Sequence, residues 1–170
     1  STVTLALPVT LQSFSGQSAA GFTGAFTNGG NPGGTRFSAQ ISTDASFGGV
    51  ILASNTANTS ASFSGLIPNT SYYLRAAALN HNSTPSAYSA GAATATLPVP
   101  AVAVSPVFLN TAVNSLRGVW SGDLNHPLTR FQAQICTDAV CGSVVGTSIT
   151  ANAYADFTGL AANTTYYLRV

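Results

Sequence analysis

Lysine, glutamate and methionine are absent from this chain of 170 residues, and its charge rests on five Arg and four Asp. Charged residues make up 5% of the sequence, against about 25% in an ordinary soluble domain. Without Lys, no Lys–Asn isopeptide cross-link can form within these residues. A formal charge of +1 provides no electrostatic footprint for nucleic acid or an anionic membrane surface. The longest apolar run, residues 97–109, is interrupted by Pro98, Pro100 and Pro106 and is too short to insert into a membrane. The chain opens with neither a Met nor a basic, apolar signal sequence, which reads as a processed chain or an internal fragment. The surface must be built from Ser, Thr, Asn, Gln, Ala and Gly. Such a surface has little charge to keep copies apart, so self-association is expected.

Only two cysteines occur, Cys136 and Cys141, around Thr137-Asp138-Ala139-Val140. Three readings stand: a local disulfide, two free thiols, or a metal site. The disulfide is favoured, and it implies an oxidising, exported setting. A metal is the weakest reading, because two Cys without nearby His fall short of a tetrahedral ligand set. No cofactor is expected.

The sequence is written twice. Residues 35–76 align without a gap on residues 129–170, an offset of 94, and 25 of the 42 positions are identical. The offset extends backwards, pairing Phe14 with Phe108, Phe22 with Leu116, Gly24 with Gly118 and Phe26 with Trp120. A period of that length fits one small domain, hence a tandem array rather than a solenoid. Within the first copy, strands are expected at 9–14, 19–27, 36–43, 50–53, 60–64, 72–79 and 87–96. The clearest alternation puts Phe37, Ala39 and Ile41 inward. The Gly-rich stretch from Asn28 to Gly34 is a loop. No window has a helical period, so the class is all-β, built as antiparallel sandwiches.

The block Leu66-x-Pro68-x-Thr70-x-Tyr72, the aromatic at Phe26 or Trp120 on the second strand, and the domain size resemble the fibronectin type III module. The resemblance covers essentially the whole chain. It implies two tandem seven-stranded immunoglobulin-like sandwiches, the second lacking its last strand in this segment. It also implies a structural tyrosine corner at Tyr72 and Tyr166, whose hydroxyls reach back to the backbone of the preceding loop. The second copy departs from the block, with Ala162 where Pro68 stands. The run Gln40-Ile41-Ser42-Thr43-Asp44 resembles versions of the module in bacterial surface proteins.

The expected layout is residues 1–7 as the end of a preceding module or a donor strand, then domain 1 at 8–97. A linker at 98–100 and an incomplete domain 2 at 101–170 follow. Two explanations are open for the unfinished second sheet. One is a longer array; the other is strand addition between copies. Strand addition would use an assembly edge of Thr2, Val3, Thr4 and Leu5 against Tyr166, Leu168 and Val170.

Catalysis needs convergent titratable groups. Asp44 and Asp138 share one turn position, which favours turn capping over acid–base work. Ser121, Asp123 and His126 lie in one loop, but the first copy has Gly29 and Pro32 at the Asp and His places. His81 reads as a loop residue at the same end of the fold as the 29–34 loop, where a ligand surface is conceivable. Outward Tyr73 and Tyr167, stacked with Arg75 and Arg169 beside Arg36 and Arg130, are expected as a sheet-face ladder. Sequons occur at Asn58, Asn69, Asn82 and Asn163, with Asn69 and Asn163 suited to the corner itself.

No enzyme is expected. The leading expectation is an extracellular structural protein, a segment of a surface filament, stalk or layer, whose partners are copies of itself or further modules. The alternative is an adhesin or a carbohydrate-binding spacer of a secreted protein, with glycans as partners.

Overall fold

A computed structural model describes residues 2–170. Among these there are strands and no helix, and the chain divides into unit 1, Ser1–Leu97, and unit 2, Pro98–Val170.

In unit 1, β1 (Leu11–Ser15), β2 (Gly21–Phe26) and β5 (Ser60–Ser64) form one antiparallel sheet in the order β1-β2-β5. The other sheet contains β3 (Arg36–Ser42), β4 (Leu52–Thr56), β6 (Ser71–Leu79) and β7 (Ala92–Ala95), in the order β4-β3-β6-β7. Alternation along β2, β3 and β6 sends Phe22, Phe26, Phe37, Ile41, Tyr72 and Leu74 into one core. Each such side chain contributes about 1.5–3 kcal/mol when fully buried.

Two expected strands have moved. Pairing of β4 starts at Leu52, not 50, because the Ser42 hydroxyl binds the Gly49 carbonyl and keeps the chain in its loop that far. The seventh strand is shorter than 87–96. Ahead of β7, the amides of Ala76 and Ala78 donate to the hydroxyls of Ser89 and Ser86, so side chains replace part of the backbone ladder.

Unit 2 repeats the plan. Here β8 (Val102–Leu109), β9 (Ser115–Ser121) and β12 (Tyr154–Thr158) form one sheet in the order β12-β9-β8. Strands β10 (Phe131–Cys136), β11 (Val144–Thr150) and β13 (Tyr167–Arg169) form the other, in the order β11-β10-β13. Leu116, Trp120, Ile135 and Phe157 are buried between the sheets, with Phe108, Phe131, Tyr166 and Leu168 half-buried against them. The Phe26–Phe37 ring pair of unit 1 reappears as Trp120–Phe131, with centroids 5.4 Å and 6.1 Å apart.

The repeated Gly24 and Gly118 have a packing reason. A Cβ on Gly24 would stand 2.2 Å from Leu74 Cδ2, and one on Gly118 would stand 2.8 Å from Leu168 Cδ1. A leucine of one sheet thus fills the space left by a glycine of the other in both units.

Candidate functional site

Side-chain bonding concentrates in three places: the corner, the loop after β3 or β10, and the leading segment of each unit.

At the corner, Ile67 N–H donates to the Tyr72 hydroxyl at 3.0 Å, and Ala161 N–H donates to the Tyr166 hydroxyl at 2.8 Å. Asn69 and Asn163 adopt positive φ, 51° and 49°, which Asn tolerates better than most residues. Both corners therefore share a backbone. Around Tyr72 the corner is also latched by Thr96, a residue without a signal in the local sequence. The Thr96 side chain accepts from Thr70 N–H at 3.0 Å and donates to the Ile67 carbonyl at 2.7 Å. Tyr72 is buried, whereas Tyr166 is half-buried.

Beyond β10, Cys136 and Cys141 are disulfide-bonded across a Cα–Cα distance of 5.1 Å. In unit 1 the equivalent loop is tied by Ser42, whose hydroxyl also accepts from Asp44 N–H at 3.0 Å. Asp44 and Asp138 hold their turns as side-chain acceptors. Asp44 takes the Ser46 hydroxyl and the Ser46 and Gly48 amides, and Asp138 takes the amides of Gly142, Ser143 and Val140. These bonds lower both carboxyl pKa values below the ordinary 3.8, led by the Ser46 hydroxyl for Asp44 and by the Gly142 amide for Asp138.

The expected Arg–Tyr ladder is corrected. Arg75 stacks between Phe47 and Tyr88, at 4.4 Å and 4.2 Å from the ring centroids, and its Nε and Nη2 donate to Gln40 Oε1. Tyr73 is not its partner because Phe47, held at φ 57°, reaches over the guanidinium from the loop. Arg169 keeps the bond to Gln134. A second stacked arginine is Arg117, 4.1 Å from the Tyr154 centroid and paired through Nε and Nη2 with Asp156. That pairing raises the Arg117 pKa and lowers that of Asp156.

The leading segments reveal a device that the sequence did not signal locally. Leu7 N–H donates to Asn31 Oδ1 at 2.8 Å, while Asn31 Nδ2 donates to the carbonyls of Leu7 and Asn28. In unit 2, Val99 N–H donates to Asn125 Oδ1 at 2.9 Å, while Asn125 Nδ2 donates to the carbonyls of Val99 and Gly122. Asn31 and Asn125 are themselves 94 apart, a match just outside the aligned block. Gly29 serves the same approach: a Cβ there would meet the Pro8 carbonyl oxygen at 2.2 Å.

Residues 2–5 of the expected assembly edge therefore precede a segment seated on unit 1, where Ala6 packs against the core. At the other end, Leu168 packs over Gly118, the Tyr166 hydroxyl is taken up in the corner, and Val170 lies just past β13.

The remaining candidates do not converge. Asp123 N–H donates to Ser121 Oγ, and His126 Nδ1 accepts from Leu128 N–H. Asp123 has φ 53° at the position where Gly29 has 65°, so it serves as a turn residue. No group of three metal-ligating side chains exists among the described residues. His81 does share a groove of about 650 Å³ with the 31–36 loop, lined also by Arg36, Asn55 and Tyr88.

No protein-family model matches the sequence, and no curated protein matches it either. Solved structures do. A two-domain fibronectin type III segment of chicken tenascin superposes with a TM-score of 0.55 at 12% identity, covering 93% of this chain and 86% of that one. The sixth fibronectin type III domain of human fibronectin type III domain containing protein 3 gives a TM-score of 0.43 at 20% identity, covering 58% and 90%. The tenascin likeness establishes the fold alone. The chain carries two sandwiches of the fibronectin type III fold in tandem.

Proposed function

We propose that this chain is a segment of an exported structural protein in which sandwich modules follow one another as a stalk, layer or filament, of the kind built on bacterial surfaces. The observation that carries the reading is the duplicated clamp. Asn31 and Asn125 each fasten the segment that leads into their own module, and Pro98 and Pro100 flank Val99 where it is held. Each module thus arrives with a fixed leading strap, which suits a mechanical series better than a flexible carrier of a catalytic domain. The disulfide supports an oxidising compartment.

Partners under this reading are further modules or copies of the same chain. Joining could use the assembly edge of Thr2, Val3, Thr4 and Leu5 with Tyr166, Leu168 and Val170. Electron microscopy and sedimentation at high concentration test it: ordered fibres or layers are expected, and monodisperse particles at every concentration would sink the filament form.

A second reading, a carbohydrate-binding spacer, is favoured by the groove of Arg36, Asn55, His81 and Tyr88. Glycan-array binding lost on Tyr88→Ala would support it, and binding unaffected by that change would remove it.

A further inference from the structure

Sheet edges are sites where a chain can add a strand, and proteins normally blunt them with charge, Pro, bulges or brevity. The edges of this protein differ in that respect. Pairing of β8 breaks between Ala103 and Phe108, around Pro106, and β1 has a break between Leu11 and Phe14. Strand β12 carries Asp156 in an ion pair, β4, β5 and β7 span only five, five and four residues, and β13 spans three with Arg169 among them.

Strand β11 has no such protection over most of its length. It ends its sheet, spans seven residues without a charge or Pro, and pairs with β10 without interruption from Gly146 to Thr150, its one break falling at Val145, between Val144 and Gly146. Its outward row is apolar at both ends of Thr147: Val145 is 52% exposed and Ile149 is 59% exposed. At the place of Ile149, unit 1 has Asn55.

We propose that β11 is a contact between two copies of this chain, paired antiparallel about Thr147. The occupant is argued from the strand itself. In a two-fold antiparallel pair centred on Thr147, Val145 of one copy lies opposite Ile149 of the other, and Thr147 opposite Thr147. Both are favourable cross-strand pairs. An isologous contact of this kind demands self-complementarity, and this row supplies it. A net charge of +1 with 5% charged residues puts little repulsion between copies. The contact goes beyond the array reading, because an array joined only end to end leaves β11 unused.

The test uses the full chain with Thr147→Cys. Both native cysteines are bonded to each other, so the new thiol is the only free one. Oxidation should produce a disulfide dimer on a non-reducing gel at least about tenfold faster than Asn58→Cys, an exposed turn position in unit 1, because pairing raises the local thiol concentration. Adding Ile149→Lys to Thr147→Cys should return the rate to the Asn58→Cys level. Circular dichroism should show both variants folded, since Ile149 is a surface residue.

Sedimentation of the unmodified chain should show a concentration-dependent dimer that Ile149→Lys shifts to monomer. Equal cross-linking rates at 147 and 58, a Thr147→Cys rate unchanged by Ile149→Lys, or dimers that survive Ile149→Lys would each overturn the proposal. Fibres without cross-linking at 147 would leave the array reading and remove this one.

Discussion

The loop after β3 and the loop after β10 follow nearly the same backbone and are fastened by different chemistry. Phe47 and Cys141 occupy equivalent positions with φ 57° and 55°. In unit 1 the Phe47 ring covers Arg75 and the Ser42 hydroxyl closes the loop; in unit 2 a disulfide between the two equivalent positions closes it. The same exchange occurs on the opposite sheet. Thr23 and Ser62 share a hydroxyl hydrogen bond of 2.8 Å where Arg117 and Asp156 form an ion pair. Only the shape of the turn and the register of the strands are common. A sandwich of this kind therefore needs a fastener at given points and tolerates several chemistries there, provided the backbone can adopt the required φ.

The Gly–Leu contact is where the two units should separate most. Leu74 is fully buried and Leu168 half-buried, so Leu74→Ala should cost unit 1 about 3 kcal/mol and Leu168→Ala about half as much in unit 2. Hydrogen exchange can follow each unit separately. Equal costs would show that Leu168 is as enclosed as Leu74. Gly24→Ala should follow at about 2 kcal/mol, with Gly118→Ala nearer 1, because the closer approach leaves Leu74 less room to yield.

Replacing Cys136 and Cys141 by Ser should destabilise unit 2 by about 2 kcal/mol, the chain-entropy expectation for so short a loop. Denaturation read by Trp120, the single tryptophan, would report it. The reciprocal experiment sharpens the comparison: Ser42→Cys with Phe47→Cys should close a disulfide in unit 1, visible as loss of a hydrogen pair in the intact mass.

Tyr72→Phe should cost about 1 kcal/mol through the lost corner bond, and Tyr166→Phe less, because water can reach the half-buried site. The smallest effect is with pH. Asp44 and Asp138 have lowered carboxyl pKa values, so their support is complete above the unfolded value of 3.8 and is lost as pH falls through the folded one. On acidification, the Gly48 and Gly142 amide resonances should both titrate with their carboxylates, but only that of Gly48 should move to its disordered position, because the disulfide holds the loop around Gly142.

Features whose partners lie close in sequence were legible in advance. The corner hydroxyls reach back five residues, the disulfide spans five, and Asp44 and Asp138 bind amides within five residues. Spacing and residue type suffice for those. The Asn31 and Asn125 clamps span 24 and 26 residues, and the Thr96 latch spans 26 and 29. Such partners are chosen by how loops meet at one end of a sandwich. The 94-residue offset held a hint of the clamp, since it pairs Asn31 with Asn125.

The Arg75 stack was misassigned for a related reason. Alternation correctly turns Tyr73 outward, but it does not register that Phe47 at positive φ folds back over the guanidinium.

By itself the sequence determined the all-β class, the duplication, the strand spacing, the turn residues and the local fasteners, because each depends on short-range periodicity and backbone preference. Only the tertiary structure decided which distant groups meet: glycine under leucine, asparagine on the leading strap, threonine across the corner. It also decided that a long edge free of charge and Pro falls at β11. β11 has an unremarkable composition, and it becomes conspicuous only once its neighbours in the sheet are known.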